Sequence, residues 1–291
     1  MKSLELKIQS CFKVAAIGIA MTCSGFALTS HPVLAHSHGH NSLQASSDSS
    51  AHDSHHPSSE SKPRSPEEYA LDLKAERFVN RGLEQLMKGD ERGALVSFSQ
   101  AIEVIPTHEI AHTYQGRLQS RIGNHEAAIA SYTEAIKSNP NFSYLYNSRG
   151  AAREQVGDDE GALSDYTQAI ELYPEDGIGH NNRGALNLKL GKYQSAMADF
   201  NQAIEDNPGY AAAYANRAEL RLQLKDMQGA MADFNQAIKL NPALAAVYVR
   251  RADLRTQLGD RKGAASDLQF AKKLEQEGQS HRATATGILI E

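Results

Sequence analysis

Cysteine is almost absent from this 291-residue chain, and the two that occur, Cys11 and Cys23, lie near its beginning. They belong to a stretch in which three lysines precede the apolar run Val14–Leu28 and small residues follow at Val33-Leu34-Ala35. This order is typical of a secretory signal peptide, which we predict for residues 1–35. The apolar run is short for a membrane span, and a retained signal anchor is the alternative interpretation.

Cleavage after Ala35 would remove both cysteines, so the mature chain could form neither a disulfide nor a thiolate nucleophile. That property suits an exported protein, and we expect the periplasm or the extracellular space. Outside the signal peptide the sequence offers no further candidate membrane segment, so we expect no membrane span after cleavage.

Positive charge and catalytic motifs are also scarce. The chain has a formal net charge of −5, and loss of Lys2, Lys7, Lys13 and Glu5 with the signal peptide changes it to −7. A mildly acidic chain binds nucleic acid poorly, so we expect no nucleic-acid partner. A glycine-rich phosphate loop, a paired-histidine zinc motif and a nucleophile elbow are all missing from the sequence. We therefore predict that the protein is not an enzyme and requires no cofactor.

Aromatic residues are missing from residues 36–64, where serine and histidine dominate. Such a composition cannot bury enough apolar surface to fold, so we predict a disordered segment. Six of the 12 histidines lie here and are candidate ligands for copper, nickel or zinc: His36, His38, His40, His52, His55 and His56. A soluble spacer rich in histidine, or one that binds metal only adventitiously, is the alternative.

The cleavage site gives this segment a more specific interpretation. If Ala35 is the last residue removed, the mature chain begins His36-Ser37-His38. A free amino terminus with histidine in third place resembles the amino-terminal copper- and nickel-binding motif, whose nitrogen ligands form a square plane.

Beyond residue 64 the sequence is strongly repetitive. Five prolines lie 34 residues apart, each ending a similar octapeptide: SQAIEVIP, TEAIKSNP, TQAIELYP, NQAIEDNP and NQAIKLNP. Every unit has a small residue at its eighth place, alanine at its twentieth and twenty-seventh, and a large apolar residue at its twenty-fourth. The units begin at residues 75, 109, 143, 177, 211 and 245, and the sixth has Gln276 in place of the proline.

This pattern resembles the tetratricopeptide repeat family, over Ala75 to about Gly278. The resemblance implies an all-α, right-handed superhelical solenoid of six helix-turn-helix repeats. We place this array at residues 65–278 and a C-terminal tail at residues 279–291. Arrays of this kind present a surface to a partner and seldom build a catalytic pocket, so a protein or peptide partner is expected.

Local signals predict how each unit is built. Ser65-Pro66-Glu67-Glu68 is a helix start, so we expect the first helix to begin near Pro66. Glycine followed by Asp or Asn predicts a left-handed turn and then a helix cap. Gly191-Lys192 and Lys225-Asp226 each lose half of this signal, so we expect weaker turns there.

Arginine at the seventh place occurs together with aspartate at the twenty-third in the last four units, while both places are neutral in the second. We predict Arg–Asp contacts between helices, with a structural role. His112 and His180 occupy the fourth place, which is aromatic in the other units, and we interpret them as packing residues.

In this family the first helix of each unit lines the concave face, and its second, fifth, sixth, ninth and thirteenth places point inward. Asparagine can bond both sides of an extended peptide backbone because it has donors and an acceptor. The predicted peptide-binding residues are Asn80, Asn147, Asn181, Asn182, Asn216, Arg250, Tyr144 and Arg117. The alternative is that these asparagines merely tolerate solvent on an exposed face.

Two functional hypotheses follow. The first is an exported, non-enzymatic scaffold that binds a peptide or protein segment in the concave groove. The second is a metal-handling protein that binds copper, nickel or zinc through the histidine-rich segment and docks through the repeats.

Overall fold

The computed structural model describes residues 65–286, with side chains described for residues 65–277. The predicted signal peptide, the histidine-rich segment and residues 287–291 of the predicted tail lie outside this range. Within it the secondary structure is helical throughout, with twelve α-helices and one short 3₁₀ turn at Pro174–Asp176. The helices are α1 (Pro66–Met87), α2 (Glu91–Val104), α3 (Glu109–Arg121), α4 (His125–Ser138), α5 (Ser143–Gln155), α6 (Asp159–Leu172), α7 (Ile178–Lys189), α8 (Tyr193–Asp206), α9 (Ala211–Gln223), α10 (Met227–Leu240), α11 (Ala245–Gln257) and α12 (Arg261–Thr286).

The helices pair in chain order, and each pair forms one unit of the repeat. Each helix packs chiefly against the helices before and after it in the chain, which is the arrangement of a solenoid. The predicted all-α solenoid of six helix-turn-helix units is therefore confirmed.

The start of α1 agrees with the sequence prediction. Ser65 is the N-cap, its hydroxyl accepts from the Glu68 amide, and the Glu68 carboxylate accepts from the Ser65 amide at 2.6 Å. This reciprocal pair satisfies two amides that would otherwise lack a partner at the helix start.

The turn inside each unit needs a residue with positive φ. Glycine provides it in five units, at Gly89, Gly123, Gly157, Gly191 and Gly259. Lys225 takes the same place in the fifth unit with φ of 62°, a conformation that costs a non-glycine residue about 1–2 kcal/mol. This strain is the physical reason why a weaker turn is expected at Lys225.

The helix caps after these turns follow the sequence with one exception. Asp90, Asp158 and Asp226 each accept a hydrogen bond from the backbone amide three residues later, at 2.8–2.9 Å. Lys192 makes no side-chain cap, as expected. Asn124 was expected to cap α4 and does not, because its side chain donates to Gln119 instead.

The core is a row of aromatic rings set between small residues. Phe98, Phe200 and Phe234 at the twenty-fourth place are fully buried. The eighth place is small in every unit, and in the first it must be glycine, because a Cβ at Gly82 would lie 2.7 Å from the Phe98 ring. Close approach of the two helices in a unit therefore depends on the repeated glycine or alanine.

The two ends of the array differ from its interior. In the first unit the third and tenth places are the exposed Arg77 and Glu84, where the next unit has the buried Ala111 and Leu118. At the other end Leu268 is 49% exposed, because no further unit covers it. Helix α12 also runs through Gln276 to Thr286, past the predicted boundary at residue 278, since no proline stops it.

Candidate functional site

The predicted arginine–aspartate contacts are present and join the two helices of a unit. Guanidinium and carboxylate groups lie 2.7–2.8 Å apart in Arg149–Asp165, Arg183–Asp199, Arg217–Asp233 and Arg251–Asp267. In three of these four units the arginine also stacks on the tyrosine at the fourth place, for example Arg217 over Tyr214 at 5.6 Å. These arginines are part of the packing, as predicted.

Two further contacts belong to this network. The pairing of the seventh with the twenty-third place did not predict them. A second arginine at the eleventh place approaches the same carboxylate, as Arg221 does with Asp233 at 2.8 Å. The first arginine also donates to the second helix of the preceding unit, as Arg217 does to Asn201 at 2.8 Å. Each network therefore ties three helices together.

The fourth unit departs from this network. Asn187 replaces the second arginine and donates to Asp199 at 3.0 Å. His180 replaces the stacked tyrosine, and its ring nitrogens lie 3.5 Å from Asp199 and 3.9 Å from Asp206. Neither His180 Nδ1 nor Asp206 Oδ2 has a hydrogen-bond partner within residues 65–277.

His112, the other histidine at the fourth place, is buried, and its Nε2 lies 2.8 Å from the Pro106 carbonyl oxygen. Both histidines lie inside the packed units, as the sequence interpretation requires.

Four of the predicted groove asparagines form one connected row, which we call the asparagine row: Asn147, Asn181, Asn182 and Asn216. Asn216 donates to the Asn181 oxygen at 2.9 Å, and Asn182 donates to the Asn147 oxygen at 3.4 Å. The row crosses α5, α7 and α9, so it links three successive units. Asn80 lies on α1 and is exposed, away from this row.

The two members at the fifth place are deeply set. Asn147 is 8% exposed and Asn181 is 4% exposed. They form a polar floor, over which Asn182 and Asn216 are more accessible. A buried amide needs hydrogen bonds, so the bonds within the row have a structural value that the sequence prediction did not include.

Arg250 lies at the sixth place of its unit, like Asn182 and Asn216, but its guanidinium already pairs with a carboxylate of the chain. It donates two hydrogen bonds to Glu219, at 2.7 and 2.5 Å, and this bonding raises the pKa of Arg250. Glu219 belongs to the unit before that of Arg250, so a comparison of places within one unit could not predict this ion pair.

Arg117 and Tyr144, like Asn80, are exposed among the predicted residues on the inner places. Tyr144 is 39% exposed and packs against Phe142, with ring centroids 5.7 Å apart. The Arg117 guanidinium lies 5.2 Å from the centroid of the Tyr114 ring. A planar cation and an exposed ring therefore flank one end of the asparagine row.

Among the described residues there is neither a candidate metal site nor a candidate membrane-spanning helix. Within residues 65–277 there is no group of three or more His, Cys, Asp or Glu side chains able to hold a metal ion. The six histidines proposed as ligands lie outside the described residues. None of the described helices is long and apolar enough to cross a membrane.

Comparison with known proteins agrees with this architecture. The family described as "Tetratricopeptide repeat" matches residues 114–177 and 181–245. Comparison with curated proteins gives no significant match. Among solved structures, PilF of Pseudomonas aeruginosa is 21% identical with a TM-score of 0.59, covering 73% of this chain and 99% of its own.

Two other solved structures show the same fold. PilW, a type IV pilus biogenesis factor, is 18% identical with a TM-score of 0.59, covering 66% of this chain and 90% of its own. A tetratricopeptide repeat protein of Parabacteroides merdae is 26% identical with a TM-score of 0.56, covering 67% of this chain and 77% of its own. With the 34-residue period and the paired helices, these matches show that residues 114–245 are built of tetratricopeptide repeats.

Proposed function

We propose that the protein is an exported, non-enzymatic scaffold that holds an extended peptide or protein segment along the concave groove. The observation that carries this proposal is the asparagine row, which places four amides across three units next to Tyr144 and Arg117. Export rests on the predicted signal peptide, and the tetratricopeptide fold supports a role in protein–protein interaction.

The exposed side of the row suits a peptide backbone because Asn216 keeps part of its bonding capacity. An amide side chain has two N–H donors and an oxygen with two lone pairs. Within residues 65–277 the Asn216 side chain makes one hydrogen bond, to Asn181, which orients it and leaves an N–H and the oxygen for an extended chain. The buried floor would fix the positions of Asn182 and Asn216, which reduces the entropy lost on binding.

Replacing Asn182 and Asn216 together by alanine should weaken capture of the natural partner about tenfold, since each removes hydrogen bonds to the peptide backbone. The partner would be identified by cross-linking the mature protein in its own compartment. Affinity would then be measured with the purified partner by calorimetry, for the parent and for the double variant.

Stability must be followed in the same variants. The double replacement leaves the oxygens of Asn147 and Asn181 without these donors, at a cost of about 1–3 kcal/mol for each buried group. Binding is therefore compared well below the melting temperature of each variant. Gln228→Ala, which removes an exposed amide from α10, is the matched control. Unchanged affinity in the double variant would refute binding at the asparagine row.

A metal-handling function is the second candidate, and the observation that favours it is the order His36-Ser37-His38 after the proposed cleavage site. The free amine, two backbone amides and the His38 imidazole would supply the square-planar nitrogen set preferred by Cu(II) and Ni(II).

Adding one residue before His36 should abolish tight Cu(II) binding by the mature chain, because histidine then leaves the third place. Calorimetry with CuCl₂ measures the affinity, and His52→Ala, which leaves the terminus intact, is the control. Equal affinity in the extended and parent chains would exclude this motif.

A further inference from the structure

Arg117 differs from the other cations at the inner places of the repeat. Arg121, Lys189 and Arg250 each lie near a carboxylate of the chain, at 2.5 Å from Glu91, 3.4 Å from Asp159 and 2.5 Å from Glu219 respectively. Within residues 65–277, no carboxylate lies within ion-pair distance of the Arg117 guanidinium. Its ninth place is neutral or acidic in every other unit.

The Arg117 side chain is nevertheless held in position. Its guanidinium stacks on Tyr114, and the Tyr114 ring in turn stacks on the buried Phe98, with centroids 5.3 Å apart and planes 13° from parallel. A cation held by stacking keeps its N–H donors at the rim of the plane, where a planar anion can accept two of them.

The buried Tyr132 ring packs against Gly116, the residue before Arg117, where a Cβ would lie 2.9 Å from the ring. Burial raises the pKa of Tyr132, and Tyr144 raises it further, while Ser120, Ser148 and the Arg117 guanidinium lower it. The groups that act on this pKa are thus three other hydroxyls and Arg117. Hydroxyls can donate to an anion, so donors from the second and third units act together with a cation around Tyr132.

The next unit has a carboxylate beside the corresponding tyrosine, with a cation from the unit after it. Tyr166, which corresponds to Tyr132, donates from its hydroxyl to Glu154 at 3.3 Å, and Lys189 lies 3.7 Å from Glu154. Glu154 stands at the twelfth place, where the second unit has Ser120. A tyrosine hydroxyl with a cation near it is therefore found in both places, although the cation belongs to the same unit at Tyr132 and to the following unit at Tyr166. Of these two units, only the third supplies its own carboxylate.

We propose that Arg117 and the hydroxyls of Ser120, Tyr132, Tyr144 and Ser148 form a subsite for a carboxylate of the bound segment, supplied by an aspartate or glutamate side chain. This inference rests on the proposed groove function and adds a preference for acidic residues to it. The incoming carboxylate takes the role in the second unit that Glu154 has in the third. Tyr144 and Phe142, both exposed, form an apolar edge for the stem of the acidic side chain.

The test uses the full chain labelled with ¹⁵N-arginine, in which the Arg117 Nε–H resonance is assigned by its loss in Arg117→Gln. The probes are three pentapeptides at constant ionic strength: blocked Gly-Ser-Glu-Ser-Gly, blocked Gly-Ser-Gln-Ser-Gly, and the glutamine peptide with a free carboxyl terminus. The blocked glutamate peptide should shift the Arg117 resonance saturably, while the blocked glutamine peptide should not. Tyr132→Phe, which removes only the hydroxyl, should weaken this binding by about fivefold or more.

Several results would overturn the inference. One is no selective shift up to roughly 50 mM peptide, a concentration at which one charge-assisted contact is populated. Another is an equal shift of Arg121, the paired arginine on the same helix. A shift with the free carboxyl terminus but not with glutamate would assign the subsite to a chain end instead.

Partner capture separates this inference from the groove proposal. If Asn182→Ala/Asn216→Ala loses the partner and Arg117→Gln keeps it, the groove function stands and the subsite is wrong. If the peptide shift is present but neither variant affects capture, the subsite stands and the groove function is wrong.

Discussion

Replacing Asp233 with alanine should lower the free energy of unfolding by about 3–5 kcal/mol, the range expected when one partner of a buried ion pair is removed. Asp233 is 3% exposed and accepts from Arg217 at 2.8 and 2.9 Å. Arg221 lies 2.8 Å from the same carboxylate. Removing it leaves two partly buried guanidinium groups close together without their counter-ion.

Urea unfolding followed by circular dichroism measures this loss. A cost below about 1 kcal/mol would mean that the network behaves like an exposed ion pair. The chain itself supplies the control, because the second unit has the neutral set Gln115, Gln119 and Ser131 at the same three places. In that unit Ser131 donates to Gln115 at 2.9 Å.

The triple replacement Arg217→Gln/Arg221→Gln/Asp233→Ser transfers the neutral set to the fifth unit. It should recover most of the stability lost in Asp233→Ala, since no charge is left unpaired. A triple variant as unstable as the single one would show that the charges contribute net stability.

Replacing His180 by tyrosine and Asp206 by leucine together should raise the free energy of unfolding by about 2 kcal/mol. His180 Nδ1 and Asp206 Oδ2 are buried polar atoms without a hydrogen-bond partner among the described residues, and each such atom costs about 1–3 kcal/mol. Three other units combine tyrosine at the fourth place with leucine at the thirtieth: Tyr146 with Leu172, Tyr214 with Leu240 and Tyr248 with Leu274. The new tyrosine would also stack under Arg183, as Tyr214 does under Arg217.

The single variants serve as controls for this pair. Asp206→Leu leaves His180 facing only the Asp199 carboxylate, and His180→Tyr places an aromatic ring against the Asp206 carboxylate. The gain in the free energy of unfolding of the double variant should therefore exceed the sum of the two single gains. Equilibrium unfolding in urea measures all four proteins. A double variant no more stable than the parent would indicate that water satisfies both atoms.

The features that the sequence predicted are those that recur. The glycine turns and the contact of Arg217 with Asp233 each follow from a spacing within one unit that other units repeat. The helix start at Pro66 is the exception, since it follows from the local capping sequence Ser65-Pro66-Glu67-Glu68. Repetition also predicted which turns deviate, because Lys225 and Lys192 stand out against their counterparts.

The features that escaped prediction join different units. The bond from Asn216 to Asn181 and the bond from Arg250 to Glu219 depend on how far one unit is rotated against the next, which a spacing within a unit does not report. For the same reason the sequence indicated asparagines at inner places but not that Asn147 and Asn181 are buried. The length of α12 was not predicted, because its only signal in the sequence is Gln276 in place of the proline.

The bond that each seventh-place arginine makes to the preceding unit has a consequence for how the array opens. Arg149, Arg183, Arg217 and Arg251 each donate to the second helix of the unit before their own. Local opening of one interior unit therefore also breaks a bond anchored in its neighbour, which raises the cost of opening in the middle. Among the described residues the first unit has no such bond, and Arg81 there stacks on Phe78. Hydrogen exchange should accordingly be fastest in α1 and α2 and in α12, and fraying should proceed inward from both ends.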